Sequence, residues 1–136
     1  MFNASEVTQL HFELLVKDNV RWQTLVGAEI VWELVYAPSL GHPARLSGQT
    51  EVFRHAAWFA GAVEGFRFSD LRLYPLADAD GLFAEVRGEG TIRATGRLYQ
   101  QDYVVLVRTK GGKIVFLREY FDPVRAARAM DLSLQI

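Results

Sequence analysis

Residues 96–123 read GRLYQQDYVVLVRTKGGKIVFLREYFDP, and this stretch decides the fold. Two runs rich in Val, Leu, Ile, Phe and Tyr flank a Lys-Gly-Gly-Lys turn. Gly111 and Gly112 tolerate the positive φ that a tight two-residue hairpin requires. The pattern predicts two antiparallel strands joined at this turn, the second of them over residues 114–121.

The second strand carries two consecutive charges, Arg118 and Glu119. Successive side chains of a strand point to opposite faces, so one of the two must face inward, and by parity it is Glu119. Its inward companions by parity are Val115, Leu117 and Phe121. A carboxyl group in such apolar company predicts a pocket in which its raised pKa suits a general acid or base. The alternative is a carboxyl group paired with Gln101 or Tyr99 in a structural network.

Composition limits the classes of function. A chain of 136 residues, half of them hydrophobic, predicts one domain over residues 1–136 with a real core. A formal net charge of -1 without any basic run disfavours nucleic acid and anionic membranes as partners. Without cysteine, and with His11, His42 and His55 matching no zinc motif, we expect no metal and no cofactor. No signal peptide or membrane span is recognisable, so a cytoplasmic protein is expected.

The first half of the chain predicts mainly helices. Apolar spacing predicts a helix over 5–17 with Ser5 or Asn3 as N-cap, and it places His11 and Glu13 off the main apolar stripe. A short helix over 20–25, a strand over 29–36 and a mobile loop over 38–46 follow. Ser47 is then expected to cap a third helix, roughly 48–63, whose apolar face His55 borders. The apolar stripe of that helix consists of Val52, Ala56, Phe59 and Val63.

The second half predicts strands. A strand over 66–76 changes its apolar phase, which indicates a bulge near Ser69 and Asp70. A turn over 78–81 leads to a strand over 82–94, in which Gly88 and Gly90 on the buried face permit a bend or a close approach. A terminal helix is expected over 124–130. These elements predict an α+β domain whose helices cover one face of a bent sheet, with a cavity at its open end.

Other candidate site residues surround Glu119. Tyr99, Gln101 and Tyr103 share one face of the neighbouring strand and could line the cavity as hydrogen-bonding groups. His55 alone is a hydrogen-bonded histidine at a helix edge, but together with Glu119 it supplies the parts of a proton relay. Trp32 and the remaining large side chains are core by default, and some must also form pocket wall. The predicted wall residues are Trp22, Tyr36, Trp58, Phe59 and Leu117.

The opposite face of the sheet is charged. Its members are Glu85, Arg87, Glu89, Arg93, Arg108 and Arg118. Because a two-fold axis places such a mixed patch opposite itself, Glu and Arg can pair across it, with Tyr120 and Phe116 supplying apolar area. The pattern predicts a homodimer through this face, and a solvated surface is the alternative.

The element order resembles the nuclear-transport-factor-2-like (NTF2-like) superfamily, in particular its SnoaL-like branch. The closest motif resemblance is to the phenazine-biosynthesis A/B proteins, and it is carried by four segments. These are RHAAW (54–58), AEVRGEG (84–90), LYQQDY (98–103) and GKIVFLREYF (112–121). The resemblance implies a curved, mostly antiparallel sheet wrapped around three helices to form a conical pocket. It also implies that His55 and Glu119 handle the substrate and its protons, with Tyr99 and Gln101 nearby.

The departures from the family pattern bear on the substrate. A pocket Ser of those proteins is Phe59 here, and an Asn has become Gln101, so the phenazine substrate is not carried over. Ketosteroid isomerases resemble the same fold, but their base falls near Leu34 and their oxyanion-hole acid near Tyr103 or Val104. We therefore expect a pocket for a hydrophobic small molecule, with isomerase, cyclase or dehydratase chemistry. The alternative is a domain that binds a hydrophobic ligand or a protein partner without catalysis.

Overall fold

The structure is a computed structural model, which describes residues 1–135. The predicted single domain over 1–136 therefore includes one residue, Ile136, that lies outside the described part. In chain order the elements are α1 (Ala4–Leu14), α2 (Asn19–Gln23), β1 (Val26–Leu34), a 3₁₀-helix (Ala37–Leu40), β2 (Arg45–Ser47), α3 (Gln49–Ala62), β3 (Val63–Pro75), β4 (Gly81–Ile92), β5 (Leu98–Lys110), β6 (Lys113–Tyr120) and α4 (Pro123–Met130).

The strands form one six-stranded sheet in the order β2-β1-β6-β5-β4-β3. β1 runs parallel to β6, and the other neighbouring pairs are antiparallel. The predicted hairpin and the α+β class are confirmed. Gly111 and Gly112 both have positive φ, 57° and 75°, as the two-residue turn requires. This topology places β6, which carries Glu119, in the middle of the sheet between β1 and β5.

The first helix is capped as predicted but is packed differently. Asn3 and Glu6 form a reciprocal capping box, in which Asn3 Oδ1 accepts from the Glu6 N–H at 2.8 Å. The prediction that His11 lies off the apolar stripe is wrong, because His11 is only 2% exposed. Its Nδ1 accepts a hydrogen bond from Trp22 Nε1 at 2.8 Å, since α2 folds back beneath α1. Burial lowers the pKa of His11 to about 3.

The segment before α3 also departs from the prediction. Residues 45 and 46 were expected in a mobile loop and Ser47 as a helix cap, but all three form β2, which pairs with β1 at the sheet edge. Gly48, rather than Ser47, is the N-cap of α3, with φ of 84° and ψ of 161°. The Ser47 backbone N–H donates to the Glu51 carboxylate at 2.8 Å, so the side chain of Ser47 is not the cap. A three-residue strand is too short for an alternation pattern to show.

The bends of the sheet occur where the sequence indicates them. The β3–β4 register shifts between Ser69 and Arg72, and Asp70 in between has φ of 55°. Gly90 permits a close approach, as expected, because an added Cβ there would lie 2.6 Å from Val63 Cγ1. A second glycine, Gly88, leaves room for the ring of a buried phenylalanine of β3 in the same way.

The inward parity of β6 holds for Glu119 but not for Val115. The β5–β6 register passes from Arg108↔Phe116 to Thr109↔Ile114, so Val115 is bulged out of the ladder. Ile114 takes the buried position instead and is 0% exposed.

Within residues 1–135, no helix is long and apolar enough to cross a membrane.

Candidate functional site

A small cavity of about 70 Å³ lies on the inner face of the sheet, against α3 and α4. Its walls come from five parts of the chain that the topology brings together. The lining residues are Leu34, Ala37, Leu40, His42, His55, Trp58, Phe59, Tyr99, Tyr103, Glu119, Phe121, Ala126 and Met130. Tyr99 and Tyr103 are buried, whereas His42 and Trp58 are exposed, so the tyrosines form the floor and these two residues lie at the mouth.

Glu119 is held on the inner face by its two neighbouring strands. It lies opposite Val105 of β5 and Leu34 of β1, both buried and apolar. Among residues 1–135, its carboxyl group has no hydrogen-bond or ion-pair partner. Burial alone raises its pKa from 4.5 to about 8. Glu119 is therefore mainly protonated at neutral pH and can donate a proton into the cavity.

His55 reaches the same cavity from α3. Its ring packs edge-on against Trp32 at 5.1 Å between centroids and lies 5.7 Å from Trp58. Burial, with a smaller contribution from the nearby charge of His42, lowers the pKa of His55 to about 4. The imidazole is therefore neutral at neutral pH and can accept a proton. Two groups whose environments push their pKa values apart are the elements of acid–base chemistry.

Two phenolic hydroxyls lie at the floor of the cavity. Tyr103 is two residues along β5 from Val105, the strand partner of Glu119, and so is a diagonal neighbour of the carboxyl group. The hydroxyls of Tyr99 and Tyr103 are 3.0 Å apart. Burial raises the pKa of Tyr99 to about 12 and that of Tyr103 well above its usual value. Both remain protonated hydrogen-bonding groups near Glu119.

The structure thus brings six of the ten residues proposed from the sequence to one cavity. These are Glu119, His55, Tyr99, Tyr103, Trp58 and Phe59. Between the first two, no direct hydrogen bond exists in the described part of the chain, so they do not form a directly bonded proton relay.

The other four proposed residues do not line the cavity. Trp22 is fully buried under α1, where its indole N–H is bonded to His11. Leu117 is also fully buried, one inward position below Glu119 on β6. Tyr36 is 43% exposed and packs on Tyr120 and Phe121 outside the cavity. Gln101 lies behind Tyr99, and its Nε2 donates to the tyrosine hydroxyl at 3.2 Å.

Sequence reasoning missed the wall provided by α4 and by the loop after β1. Ala126 and Met130 lie four residues apart on α4 and face the cavity together. His42 was considered only as a rim or metal-binding residue. The i, i+4 spacing on α4 was visible in the sequence, but nothing local showed that this helix packs over the cavity.

A family model for the SnoaL-like domain matches residues 10–117. The chain belongs to the SnoaL-like domain family. An uncharacterised PhzA/B-like protein of Pseudomonas aeruginosa is 32% identical over 129 residues, which cover 94% of this chain and 90% of that protein. This relative agrees with the resemblance to phenazine-biosynthesis A/B proteins.

Solved structures show the same NTF2-like fold for this SnoaL-like domain. A Bacillus subtilis protein described as a proposed isomerase has a TM-score of 0.87 and 27% identity, covering 97% of this chain and 96% of that chain. A phenazine biosynthesis-related protein of Pseudomonas aeruginosa has a TM-score of 0.81 at 18% identity, covering 97% of this chain and 87% of that chain. The second likeness concerns the fold alone. The NTF2-like α+β fold implied by the resemblance is therefore confirmed.

Proposed function

We propose that this SnoaL-like domain is a cofactor-independent enzyme that acts on a small hydrophobic or aromatic metabolite by acid–base chemistry. The observation that carries the proposal is the unpaired carboxyl group of Glu119, whose pKa of about 8 keeps it protonated inside a cavity lined otherwise by aromatic and aliphatic side chains. Glu119 is half-buried in apolar surroundings, where a structural carboxyl group is normally paired, yet it has no hydrogen-bond or ion-pair partner among residues 1–135. Acting on a metabolite in this way suits the expected cytoplasmic location.

The roles follow from the protonation states. Protonated Glu119 is the general acid, and neutral His55 is the general base that removes a proton from the substrate. Isomerisation, cyclisation and loss of water each need one proton removed and one delivered. The Bacillus subtilis protein described as a proposed isomerase supports this reaction class.

The volume of the cavity limits what enters it. About 70 Å³ accommodates a single functional group or one small ring rather than a polycyclic molecule. A larger metabolite would insert its reactive end and leave the remainder at the mouth, against Trp58 and His42. Trp58 and His42 are 5.7 Å apart between ring centroids and present aromatic surface there.

Hydrogen exchange tests the chemistry without knowledge of the natural substrate. Small cyclic ketones in D₂O exchange their α-hydrogens when an acid polarises the carbonyl and a base removes the proton, and NMR follows this exchange. We expect the protein to accelerate exchange, and Glu119→Gln to lower the rate by about 10²–10⁴-fold. Glu89→Gln, on the exposed face of β4, is the matched control and should retain the wild-type rate.

The pH dependence separates the roles further. Exchange should be constant between about pH 4 and about pH 8, because His55 is neutral and Glu119 is protonated in that range. Above that range the rate should fall in the wild-type protein as Glu119 ionises. Equal ketone affinity in wild type and Glu119→Gln, with no exchange in either, would favour the alternative of a binding protein without catalysis.

A further inference from the structure

The amide of Gln101 is fixed in one orientation by four hydrogen bonds. Its Oε1 accepts from the backbone N–H of Asp122 at 2.9 Å and from that of Asp102 at 3.2 Å. Its Nε2 donates to the Asp122 carbonyl at 2.9 Å and to the hydroxyl of Tyr99 at 3.2 Å. If the amide O and N were exchanged, the two N–H groups of Nε2 would face the backbone N–H groups of Asp102 and Asp122, and no hydrogen bond could form there. Nε2 must therefore face Tyr99.

This orientation determines which way the tyrosine pair donates. A phenol keeps its O–H in the plane of the ring and has one good acceptor direction left in that plane. Tyr99 uses that acceptor direction for Gln101, so its own proton points to the hydroxyl of Tyr103, 3.0 Å away. Tyr103 then accepts from Tyr99, and its proton is the one left to donate into the cavity, whose wall it forms.

We propose that Gln101 sets the direction of the chain Gln101→Tyr99→Tyr103, so that Tyr103 Oη donates to a hydrogen-bond-accepting oxygen of the ligand. The ligand class is therefore a carbonyl compound, or the enolate formed from it. Hydrogen bonds in such a chain polarise one another, so the last donor is stronger than an isolated phenol. Gln101 is a positioning residue, because it does not line the cavity. This inference rests on the proposed function, in that it assigns the ligand of the same cavity.

The same amide ties the donor chain to α4. Asp122 is the N-cap of α4 and holds Gln101 through both its backbone N–H and its carbonyl. Ala126 and Met130 of that helix line the cavity. The contact therefore sets the position of one wall and the direction of the donor chain together.

The infrared carbonyl stretch of a bound small ketone, ¹³C-labelled cyclopentanone, measures the donor directly. A hydrogen bond to the carbonyl oxygen lowers the frequency of this stretch, and no turnover is needed. We expect a lowered frequency in the wild-type complex and loss of the Tyr103 part of this shift in Tyr103→Phe, with about tenfold weaker binding. Glu119→Gln should keep the part of the frequency shift that comes from Tyr103.

Gln101→Glu tests the direction at constant size. A buried carboxyl group here has at most one proton, and the Asp122 carbonyl, 2.9 Å from the position of Nε2, accepts it. Tyr99 would therefore donate to the carboxyl group, Tyr103 would donate to Tyr99, and no tyrosine proton would point into the cavity. The part of the frequency shift that comes from Tyr103 should disappear although Tyr103 is present. Gln100→Glu, on the exposed face of the same strand, is the control and should leave it unchanged. Tyr99→Phe should keep a smaller shift, because Tyr103 can still donate but is no longer polarised by Tyr99. This second variant tests the donor chain even if Gln101→Glu does not fold.

Three outcomes would overturn the inference. They are the full wild-type frequency shift retained in Gln101→Glu, a shift lost in Tyr99→Phe but kept in full in Tyr103→Phe, and no bound signal or shift in the wild-type protein. A normal frequency shift without hydrogen exchange would instead overturn the enzymatic proposal and support the donor chain. Hydrogen exchange that depends on Glu119 but not on Tyr103 would support the enzymatic proposal and overturn the donor chain.

Discussion

Arg118 and Glu119 are consecutive residues of β6, and their side chains lie on opposite faces of the sheet in different electrostatic surroundings. On the outer face, Arg118 Nε is 2.8 Å from a Glu33 carboxylate oxygen, and its guanidinium lies over the ring of Phe116 at 5.2 Å. On the inner face, Glu119 has no partner in the described chain, and burial raises its pKa to about 8. A paired, exposed charge is ordinary surface chemistry, whereas an unpaired carboxyl group on the inner face is retained at a cost in stability.

The largest expected effect comes from removing the inner carboxyl group. Between pH 4.5 and about 8 the native protein keeps a proton on Glu119 that the unfolded chain has released, so the free energy of unfolding falls as pH rises through that window. Glu119→Gln abolishes this loss and should stabilise the protein at pH 8 by on the order of 3 kcal/mol. At pH 4.5 the two proteins should differ little. Urea unfolding followed at both pH values measures the difference.

The histidines act in the opposite direction on the acid side. His11 and His55 have pKa values lowered to about 3 and about 4, so below pH 6.5 the unfolded chain binds protons that the native protein refuses. Wild-type stability should therefore peak near pH 6.5, whereas the stability of Glu119→Gln should rise more steeply from pH 4.5 and should not decline on the alkaline side. A wild-type stability that rises between pH 6.5 and 8 would contradict the assigned environment of Glu119.

The inward position of Glu119 could be predicted because alternation along a strand is a local property. The residue lies far enough along β6 that the bulge at Val115 does not alter its face. Gln101 has the same parity as Tyr99 and Tyr103, yet it does not line the cavity, because the N-terminus of α4 covers it. Which inward residues meet empty space depends on the packing of helices distant in sequence, and parity does not contain that information.

Helix periodicity failed for a related reason. Trp22 and His11 satisfy each other through a hydrogen bond between α1 and α2, which only the fold-back of α2 creates. A polar atom buried by a partner 11 residues away carries no signal in the apolar spacing of its own helix. The short β2 was missed because three residues cannot display alternation, whereas β4 and β6 were predicted to within two residues at both ends.

The next largest effect tests the tightness of the inner face away from the cavity. A Cβ at Gly90 would lie 3.0 Å from the Cα of Phe66 and 3.1 Å from the carbonyl oxygen of Glu64. These are backbone atoms of the neighbouring strand, so the strain cannot be relieved by a side-chain rotation. Gly90→Ala should cost about 2 kcal/mol of unfolding free energy. Glu89→Ala, the adjacent exposed residue, should change it by less than about 0.5 kcal/mol in the same denaturant measurement.

The outer face of the sheet also differs from the inner face in the apolar side chains that it exposes. We propose that the protein is a homodimer through this face, where Phe83 and Val104 are each 37% exposed among partly buried apolar neighbours. Two of its arginines are already paired within one chain, Arg87 with Asp102 and Arg118 with Glu33, so they contribute little affinity across the interface. Apolar contacts must supply the affinity.

Sedimentation at micromolar concentration should report a mass near twice 15.4 kDa. Val104→Lys should weaken the dimer about tenfold or more, because it buries an unpaired charge at the contact. Arg118→Glu should weaken it less, since the main change is repulsion from Glu33 of the same chain. A monomeric wild-type protein, or an interface of well under about 1,000 Å² at this face, would contradict the proposal.

The smallest expected effect comes from breaking the Arg118–Glu33 ion pair on the outer face. Arg118 and Glu33 are 39% and 22% exposed, so water and salt reach both groups. Arg118→Met, measured in the Val104→Lys background to exclude dissociation, should lower the melting temperature by about 2 °C or less. That difference should shrink between about 0.01 M and about 1 M salt, as the Debye length falls from about 30 to about 3 Å.

The stabilisation by Glu119→Gln at pH 8 should persist across the same salt range, because it arises from desolvation of the carboxylate rather than from an interaction between charges. Equal salt dependence of the two variants would show that the inner and outer faces do not differ in the way their pairing and burial indicate.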